Sequence, residues 1–262
     1  MDHRILHPPA PEPILKGRCA LAVMIKAPRA GQSKTRLCPP LHPETAAALS
    51  RCFYQDTAEA LAAVSAADPF GQPVAAYAPL GAEAELAGLI ASDIPLLPQR
   101  VTDLGGRLRG VIEDLLLLGC DAVALIDSDS PTVPPACYLK LLQVLKADPH
   151  AAVIGPADDG GYYVLGVHQA PPDLFAGIAW STGQVFDQTL AAIQRAGLRA
   201  HVLPPWHDVD DSAGLQFLAR EFRGELPGRR TGFLAPRTRA FLSFLEKRRE
   251  GEFLAVPPRR PA

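Results

Sequence analysis

The sequence predicts an α/β fold: a three-layer α/β/α sandwich around a mostly parallel sheet. Three observations carry this. Short apolar runs alternate with helix-period segments from Cys19 to about Arg223, the pattern of strands feeding crossover helices. Residues 122–126 are all apolar, as in a strand covered on both faces. Cap and stop residues punctuate the helical segments, with Asp103 before one, Gly119 after it and Gly197 after another.

In chain order, residues 20–25 form the first strand. Residues 43–64 are helical, with Ala46, Leu49, Phe53, Ala60 and Val64 near a 3.6-residue period. A strand over 74–77, a helix over 82–91 and a strand over 94–97 follow. Next come a helix from Asp103 to Leu118 and the buried strand 122–126. A helix over 134–147 begins at proline, where the missing N–H is no loss. Strands over 151–154 and 162–167 flank a D-D-G-G turn. A helix over 182–196 capped by Ser181 or Thr182, a strand over 200–203 and a helix over 212–222 complete the body.

With 48% hydrophobic and 21% charged residues in 262, a disordered or fibrous chain is excluded. No window approaches about 18 consecutive apolar residues, so no membrane span is expected. The N-terminus lacks the apolar run of a signal peptide. Cys19, Cys38, Cys52, Cys120 and Cys137 are odd in number and form no C-x-x-C pair. This speaks against a zinc ribbon or disulfide framework and for a reducing, cytoplasmic setting. A net charge of -2 speaks against a nucleic-acid partner, but the charge is unevenly spread. Residues 223–262 balance to +6 and residues 1–222 to -8. The expected organisation is a mobile leader over 1–18, one domain over 19–222, and a basic C-terminal helix and tail over 223–262. The tail helix, 236–249, is expected to pack on the body, to pair two chains as a homodimer, or to remain a basic arm with weak membrane-surface contact.

In sheets of this kind ligands bind beyond the carboxyl ends of the strands, so the polar segments there were read for chemistry. The first strand runs into Lys26-Ala27-Pro28-Arg29-Ala30-Gly31-Gln32-Ser33-Lys34-Thr35-Arg36. Its cations suit phosphate oxygens and Gly31 allows close backbone approach, although the segment is neither a Walker A loop nor a G-x-G-x-x-G fingerprint. A solvated basic loop is the plain alternative. The buried strand ends in Asp127-Ser128-Asp129-Ser130-Pro131, whose i and i+2 carboxylates suit a hard divalent cation or, more simply, a turn. Asp158-Asp159-Gly160-Gly161-Tyr162 reads as a hairpin turn or as a loop beside an acceptor or metal. His207-Asp208-Val209-Asp210-Asp211 precedes a helix, so one carboxylate is a cap and another a metal ligand; His207 is a surface residue or a ligand. Trp180 stacks on a ring or fills the core.

Taken in order, K-A-P-x-x-G-x-x-K-T-R-L, D-L-G-x-R-L, S-D-S-P, G-P-A-x-D-G-G-Y-Y-x-L-G, W-S-T and D-V-D resemble the DUF2064 group. These are predicted glycosyltransferases of the GT-A, nucleotide-diphospho-sugar transferase fold, some of which are named arsenosugar-biosynthesis glycosyltransferases. The resemblance covers about residues 20–220. The first loop and the D-x-P step are also similar to phospholactate guanylyltransferases and molybdenum-cofactor nucleotidyltransferases of the same fold.

The resemblance implies roles. Lys26, Ala27, Gly31, Lys34 and Arg36 would hold a nucleotide's phosphates, and Gly105, Gly106 and Arg107 would lie near the nucleotide. Gly106 replaces the family's usual Glu, and Asp211 stands where the family usually has Thr. Asp127, Asp129 and Asp210 would hold Mg²⁺ or Mn²⁺. Lys34, Asp158 and Asp159 would be catalytic, with one of the two carboxylates taking the acceptor's proton. Gly160, Gly161, Tyr162, Trp180, Ser181 and Thr182 would contact the acceptor.

Three functions follow as expectations. The first is a metal-dependent glycosyltransferase moving a sugar from a nucleotide-diphospho-sugar to a small-molecule or lipid acceptor. The second is a nucleotidyltransferase using a nucleoside triphosphate and releasing pyrophosphate. The third is a nonenzymatic nucleotide-binding protein on the same fold.

Overall fold

In the computed structural model, which describes residues 3–9, 13–101, 103–226 and 231–255, strands and helices alternate along the chain. The order is β1 (Cys19–Lys26), α1 (Pro43–Ala67), β2 (Gly71–Ala78), α2 (Glu83–Leu86), β3 (Leu96–Pro98), α3 (Leu104–Leu117) and β4 (Ala122–Ile126). There follow α4 (Pro135–Ala147), β5 (Ala151–Pro156), β6 (Tyr162–Val167), α5 (Val185–Arg195), β7 (Arg199–Val202), α6 (Ser212–Phe222) and α7 (Pro236–Glu246). One sheet contains all seven strands in the order β3-β2-β1-β4-β6-β5-β7. Every pair is parallel except those of β6, which runs antiparallel to β4 and β5.

The strand alternation sorts side chains into two cores. Cys19, Leu21, Val23 and Ile25 pack on one face with Leu49 and Phe53 of α1 and Leu141 of α4. Ala20 and Ala22 pack on the other with Ile112 and Leu115 of α3 and Ile193 of α5. This is the expected α/β/α sandwich. From β1 the chain travels outward to β2 and β3, then returns to β4 on the other side of β1. The loops after β1 and β4 lead to α1 and α4 on the same face and emerge side by side at the carboxyl ends of these strands, the end at which ligands bind in such sheets.

The structure differs from the sequence expectations in three places along this body and leader. The helix expected over 82–91 is a single turn, because Gly88 takes φ +76 two residues beyond α2. The helix expected from Thr182 starts at Val185, with Gln184 at its N-cap. Ser181 is left-handed at φ 63, and Thr182 is used in a turn instead, its Oγ1 donating to Ala179 O at 2.7 Å. The described part of the leader is docked on the body. Leu6 is buried and its N–H donates to Leu96 O at 2.8 Å, so that Ile5 bridges to the exposed side of β3. Leu15 is buried likewise, with its N–H on Leu118 O at 3.1 Å.

The described part of the C-terminal segment also packs on the body. Helix α7 lies on α1, with Leu242 and Leu245 buried in the same core as Phe53. Its start is held by a residue far away in sequence. Pro236 has no N–H, and the next two backbone N–H groups, of Arg237 and Thr238, donate to Oδ1 and Oδ2 of Asp56 at 3.1 and 2.7 Å. Asp56 lies in α1 with its side chain fully buried, and Arg237 also faces it at 3.6 Å. A carboxylate from another helix thus caps α7. Residues 256–262 of the expected tail lie outside the described residues.

Asp56→Ala removes this acceptor and leaves two N–H groups at a buried helix end unsatisfied. It is expected to cost about 2–3 kcal/mol, read from urea denaturation, with faster amide exchange in α7. An unchanged urea midpoint would contradict the capping role.

Candidate functional site

The loop after β1 is built to point one cation inward. Gly31 takes φ +72, and Lys34 takes φ 50 and ψ 42. Glycine adopts that region freely, whereas a residue with a side chain pays about 1–2 kcal/mol for it. Hydrogen bonds hold the loop's base: Ala27 N–H donates to Ala78 O at 2.7 Å, and Ser33 Oγ donates to Ala27 O at 3.2 Å. The result places Lys34 Nζ in the crevice, 2.6 Å from Asp129 Oδ1 and 3.0 Å from Asp210 Oδ1. Nζ also donates to Val209 O at 2.7 Å and lies 5.5 Å from the centre of the Phe53 ring. The Lys34 side chain is only 7% exposed.

Asp129 belongs to the loop after β4, and Asp210 to the loop before α6. The two loops are further joined by Val209 N–H donating to Asp129 O at 3.0 Å. Behind them lies a buried network. Trp206 Nε1 donates to Thr132 Oγ1 at 3.1 Å, and His207 Nε2 sits 3.2 Å from Glu221 Oε2. His207 is thus neither a surface residue nor placed as a ligand; it ties the Asp208–Asp210 segment to α6. Asp211 caps α6, accepting from Gly214 N–H at 2.9 Å, as Asp103 caps α3 by accepting from Gly106 N–H at 2.7 Å.

Carboxylates crowd this junction. One oxygen from each of Asp159, Asp208 and Asp210 lies within 4.8 Å of the others. Burial, with Asp159 and Asp210 alongside, pushes the Asp208 carboxyl up to about 7. Burial and then the Asp129 charge push Asp127 well above the usual carboxylate range, and its Oδ1 is buried without a hydrogen-bond partner. Its Oδ2 accepts from Ser130 Oγ at 2.6 Å. Burial raises Asp129 even against the pull of Lys34, whereas for Asp210 the Lys34 ammonium outweighs burial and holds it low. For Lys34 itself burial opposes the charge, but Asp129 and Asp210 prevail and hold the ammonium above its ordinary value.

Two clefts meet here. The first, about 300 Å³, is lined by Lys26, Lys34, Arg36, Arg107, Tyr54 and Gln99 among others. The second, about 530 Å³, lies on the hairpin side and is lined by Asp127, Asp159, Tyr162, Trp180, Leu108 and Val185 among others. Met24, Arg36, Leu104, Ser128, Asp129 and Asp210 line both and form the shared wall. Both volumes fall in the range of small-molecule sites.

The structure brings most of the expected residues to this junction. Lys26, Lys34, Arg36 and Arg107 line the first cleft. Asp159, Gly161, Tyr162, Trp180, Ser181 and Thr182 line the second. Of the expected metal residues, only Asp210 belongs to the three-carboxylate group; Asp127 and Asp129 line the clefts outside it. Ala27, Gly31, Gly105, Gly106, Asp158 and Gly160 line neither cleft. Several of them have a local packing or hydrogen-bonding part. A Cβ on Gly105 would come within 3.2 Å of Trp180 Nε1, and one on Gly106 within 2.6 Å of Val101, so both permit close packing at the start of α3. Gly160 has φ +87, and a Cβ there would strike Gly183 at 2.4 Å. Asp158 N–H donates to Trp206 O at 3.0 Å, which pins the hairpin to the Asp208 segment. Arg29, a loop cation, is spent on Glu85, with Nε 2.9 Å from Oε2.

Tyr54, Gln99, Ser128 and Leu104 line the clefts without having been singled out in the sequence. Tyr54 comes from the core face of α1, and its hydroxyl donates to Lys26 O at 2.9 Å. Its helical spacing with Ala58 and Leu61 marks it only as a core residue, so the sequence holds no signal for this role. All five cysteines are free, and no helix among the described residues is long and apolar enough to cross a membrane.

Comparisons with known proteins agree with this architecture. Residues 60–182 match the family model for uncharacterized proteins conserved in bacteria, DUF2064. A solved structure from Desulfovibrio desulfuricans G20, described as a candidate nucleotide-diphospho-sugar transferase, is 31% identical with a TM-score of 0.75. The alignment covers 88% of this chain and 96% of that one. A CMP:2-keto-3-deoxy-manno-octonic acid synthetase complexed with CTP is 13% identical, with a TM-score of 0.51 over 79% of this chain and 100% of that one, a likeness of fold. No curated protein matches the chain. On the family match and a relative of that identity and coverage, the chain belongs to the DUF2064 family and carries the nucleotide-diphospho-sugar transferase fold.

Proposed function

We propose that the protein is a metal-dependent glycosyltransferase. It takes a nucleotide-diphospho-sugar in the first cleft and passes the sugar to a hydroxyl group in the second. The observation that carries this is the meeting of a cation-lined and a carboxylate-lined cleft at one wall, Asp129 and Asp210. The family relative is described as a candidate nucleotide-diphospho-sugar transferase, which supports the donor class.

In this reading Lys26, Arg36 and Arg107 meet the diphosphate, and Arg107 has a buried Nε without a partner to offer. Lys34 fixes Asp129 and Asp210 and adds positive charge where the diphosphate departs. The acidic group fits a hard divalent cation: its donors are all oxygen, and three carboxylates converge within 4.8 Å of one another. Mg²⁺ or Mn²⁺ would be held by Asp208 and Asp210, since such ions use one or two carboxylates together with substrate phosphates. When bound, the ion supplies charge stabilisation to the departing diphosphate. Asp159 lines the second cleft whereas Asp158 does not, so Asp159 takes the acceptor's proton. The sugar's bond to the diphosphate oxygen breaks, the electron pair leaves with the nucleoside diphosphate, and the acceptor oxygen forms the new bond.

Nucleotidyl transfer is the second reading, because the cations of the first cleft suit a triphosphate as well as a diphosphate. A thermal-shift panel with and without Mn²⁺ separates the two. A Mn²⁺-dependent rise with one nucleotide-sugar and little with triphosphates is expected; a rise with a triphosphate alone would favour nucleotidyl transfer.

Asp210→Asn is expected to weaken Mn²⁺ binding, titrated calorimetrically, by about 100-fold and turnover by at least as much. Wild-type Mn²⁺ affinity in this variant would overturn the ligand assignment. A second expectation concerns pH. A carboxyl whose value is raised by folding stabilises the fold while protonated and loses that contribution as pH rises. For Asp208 the loss runs from its ordinary value of 3.8 to about 7 in metal-free protein. Asp208→Asn should therefore gain urea midpoint relative to wild type between pH 5 and pH 8. A difference that stays constant over that range would contradict the assignment.

A further inference from the structure

The two clefts share a wall but differ in charge. The first has Lys26, Lys34, Arg36 and Arg107 along it. The second has Asp127, Asp129, Asp159 and Asp210, and among the described residues Arg36 is the one cation lining it. That guanidinium is 67% exposed, sits on the shared wall and already faces Asp210 Oδ2 at 3.7 Å. A phosphate or carboxylate entering the second cleft would meet Asp159 and the Lys34-paired Asp129 and Asp210, with only the Arg36 guanidinium, itself turned to Asp210, to receive it.

The remainder of the second cleft is apolar or aromatic. Leu108, Leu125 and Val185 line it beside Trp180, a half-buried indole packed on Gly105 and 6.4 Å from the Phe175 ring. Ser128, Ser181 and Thr182 add hydroxyl groups to its wall, and Asp159 a carboxylate. A flat aromatic face with a few hydrogen-bonding groups is suited to a ring that is apolar on one side and hydroxylated at its edge.

We infer that the second cleft binds an uncharged, hydroxylated ring, of the class of a glycoside, with its apolar face on Trp180, and rejects phosphorylated or carboxylated acceptors. The inference rests on the two-cleft assignment above and supplies the acceptor class that assignment leaves open. It also separates the two transfer chemistries, because a nucleotidyl transfer onto a phosphate or carboxylate would need an anion in this cleft.

The test uses the full chain and saturation-transfer NMR with phenyl β-D-glucopyranoside, glucose 6-phosphate and phenyl phosphate as probes. The neutral glycoside is expected to bind at least tenfold more tightly than either phosphate, and Trp180→Ala to weaken it about tenfold. Thr182→Arg places a cation on the cleft wall and is expected to raise glucose 6-phosphate affinity without loss of fold, which covers the case in which the Trp180 variant does not fold. Equal or tighter binding of a phosphate probe to the wild type, or binding of none of the three, overturns the inference. Nucleotide binding with Mn²⁺ is followed in the same samples by thermal shift. If glycoside binding depends on Trp180 while no nucleotide binds, the donor reading fails and this inference stands; the converse pattern sinks this inference alone.

Discussion

The ammonium of Lys34 gathers oxygen atoms from segments that are distant in sequence: the carboxylate of Asp129 after β4, and the carboxylate of Asp210 and carbonyl of Val209 before α6. Without that charge, two carboxylates would face each other in a largely buried crevice. With it, the loops after β1 and β4 and the segment leading into α6 are drawn to one point. The left-handed backbone at Lys34 is the local strain accepted for this, and the surrounding loop hydrogen bonds hold it. The charge of Lys34 therefore organises the acids of the junction.

The sheet decides where this happens. Because β1 and β4 are adjacent and parallel, the loops that follow them emerge side by side at the sheet's carboxyl end, where ligands bind in such sheets. The antiparallel β6 brings the hairpin loop with Asp159 to the same end as the loop after β4. One wall then serves two clefts of different character, and in the proposed reaction donor and acceptor would approach one another across Asp129 and Asp210. The division of charge between the clefts is what ties the proposed chemistry to the proposed substrates.

Much of this was legible in the sequence, for identifiable reasons. The all-apolar run of β4 and the caps at Asp103 and Asp211 are local signals, and the structure keeps them. Lys34, Asp129 and Asp210 follow or precede predicted elements at the sheet's carboxyl end, so their convergence was foreseeable from topology. Other features depend on contacts between distant segments. Nothing near Asp56 in sequence shows that it caps α7, and nothing near His207 shows that it is buried against Glu221. Nothing near Gly105 and Gly106 in sequence shows that their lack of Cβ also permits close packing against Trp180 and Val101. Asp159 was expected as a base and Asp208 stood only within a motif; that they join Asp210 in one group is a property of three loops meeting.

The most direct test of the junction is the position of a divalent ion in the folded protein. Crystals grown with Mn²⁺ and a nucleoside diphosphate, measured at the manganese edge, would give it by anomalous scattering. The account predicts a single strong peak within ligand distance of Asp208 and Asp210, with the diphosphate lying along Lys26, Arg36 and Arg107. A peak elsewhere, or a diphosphate seated among the carboxylates of the second cleft, would contradict it.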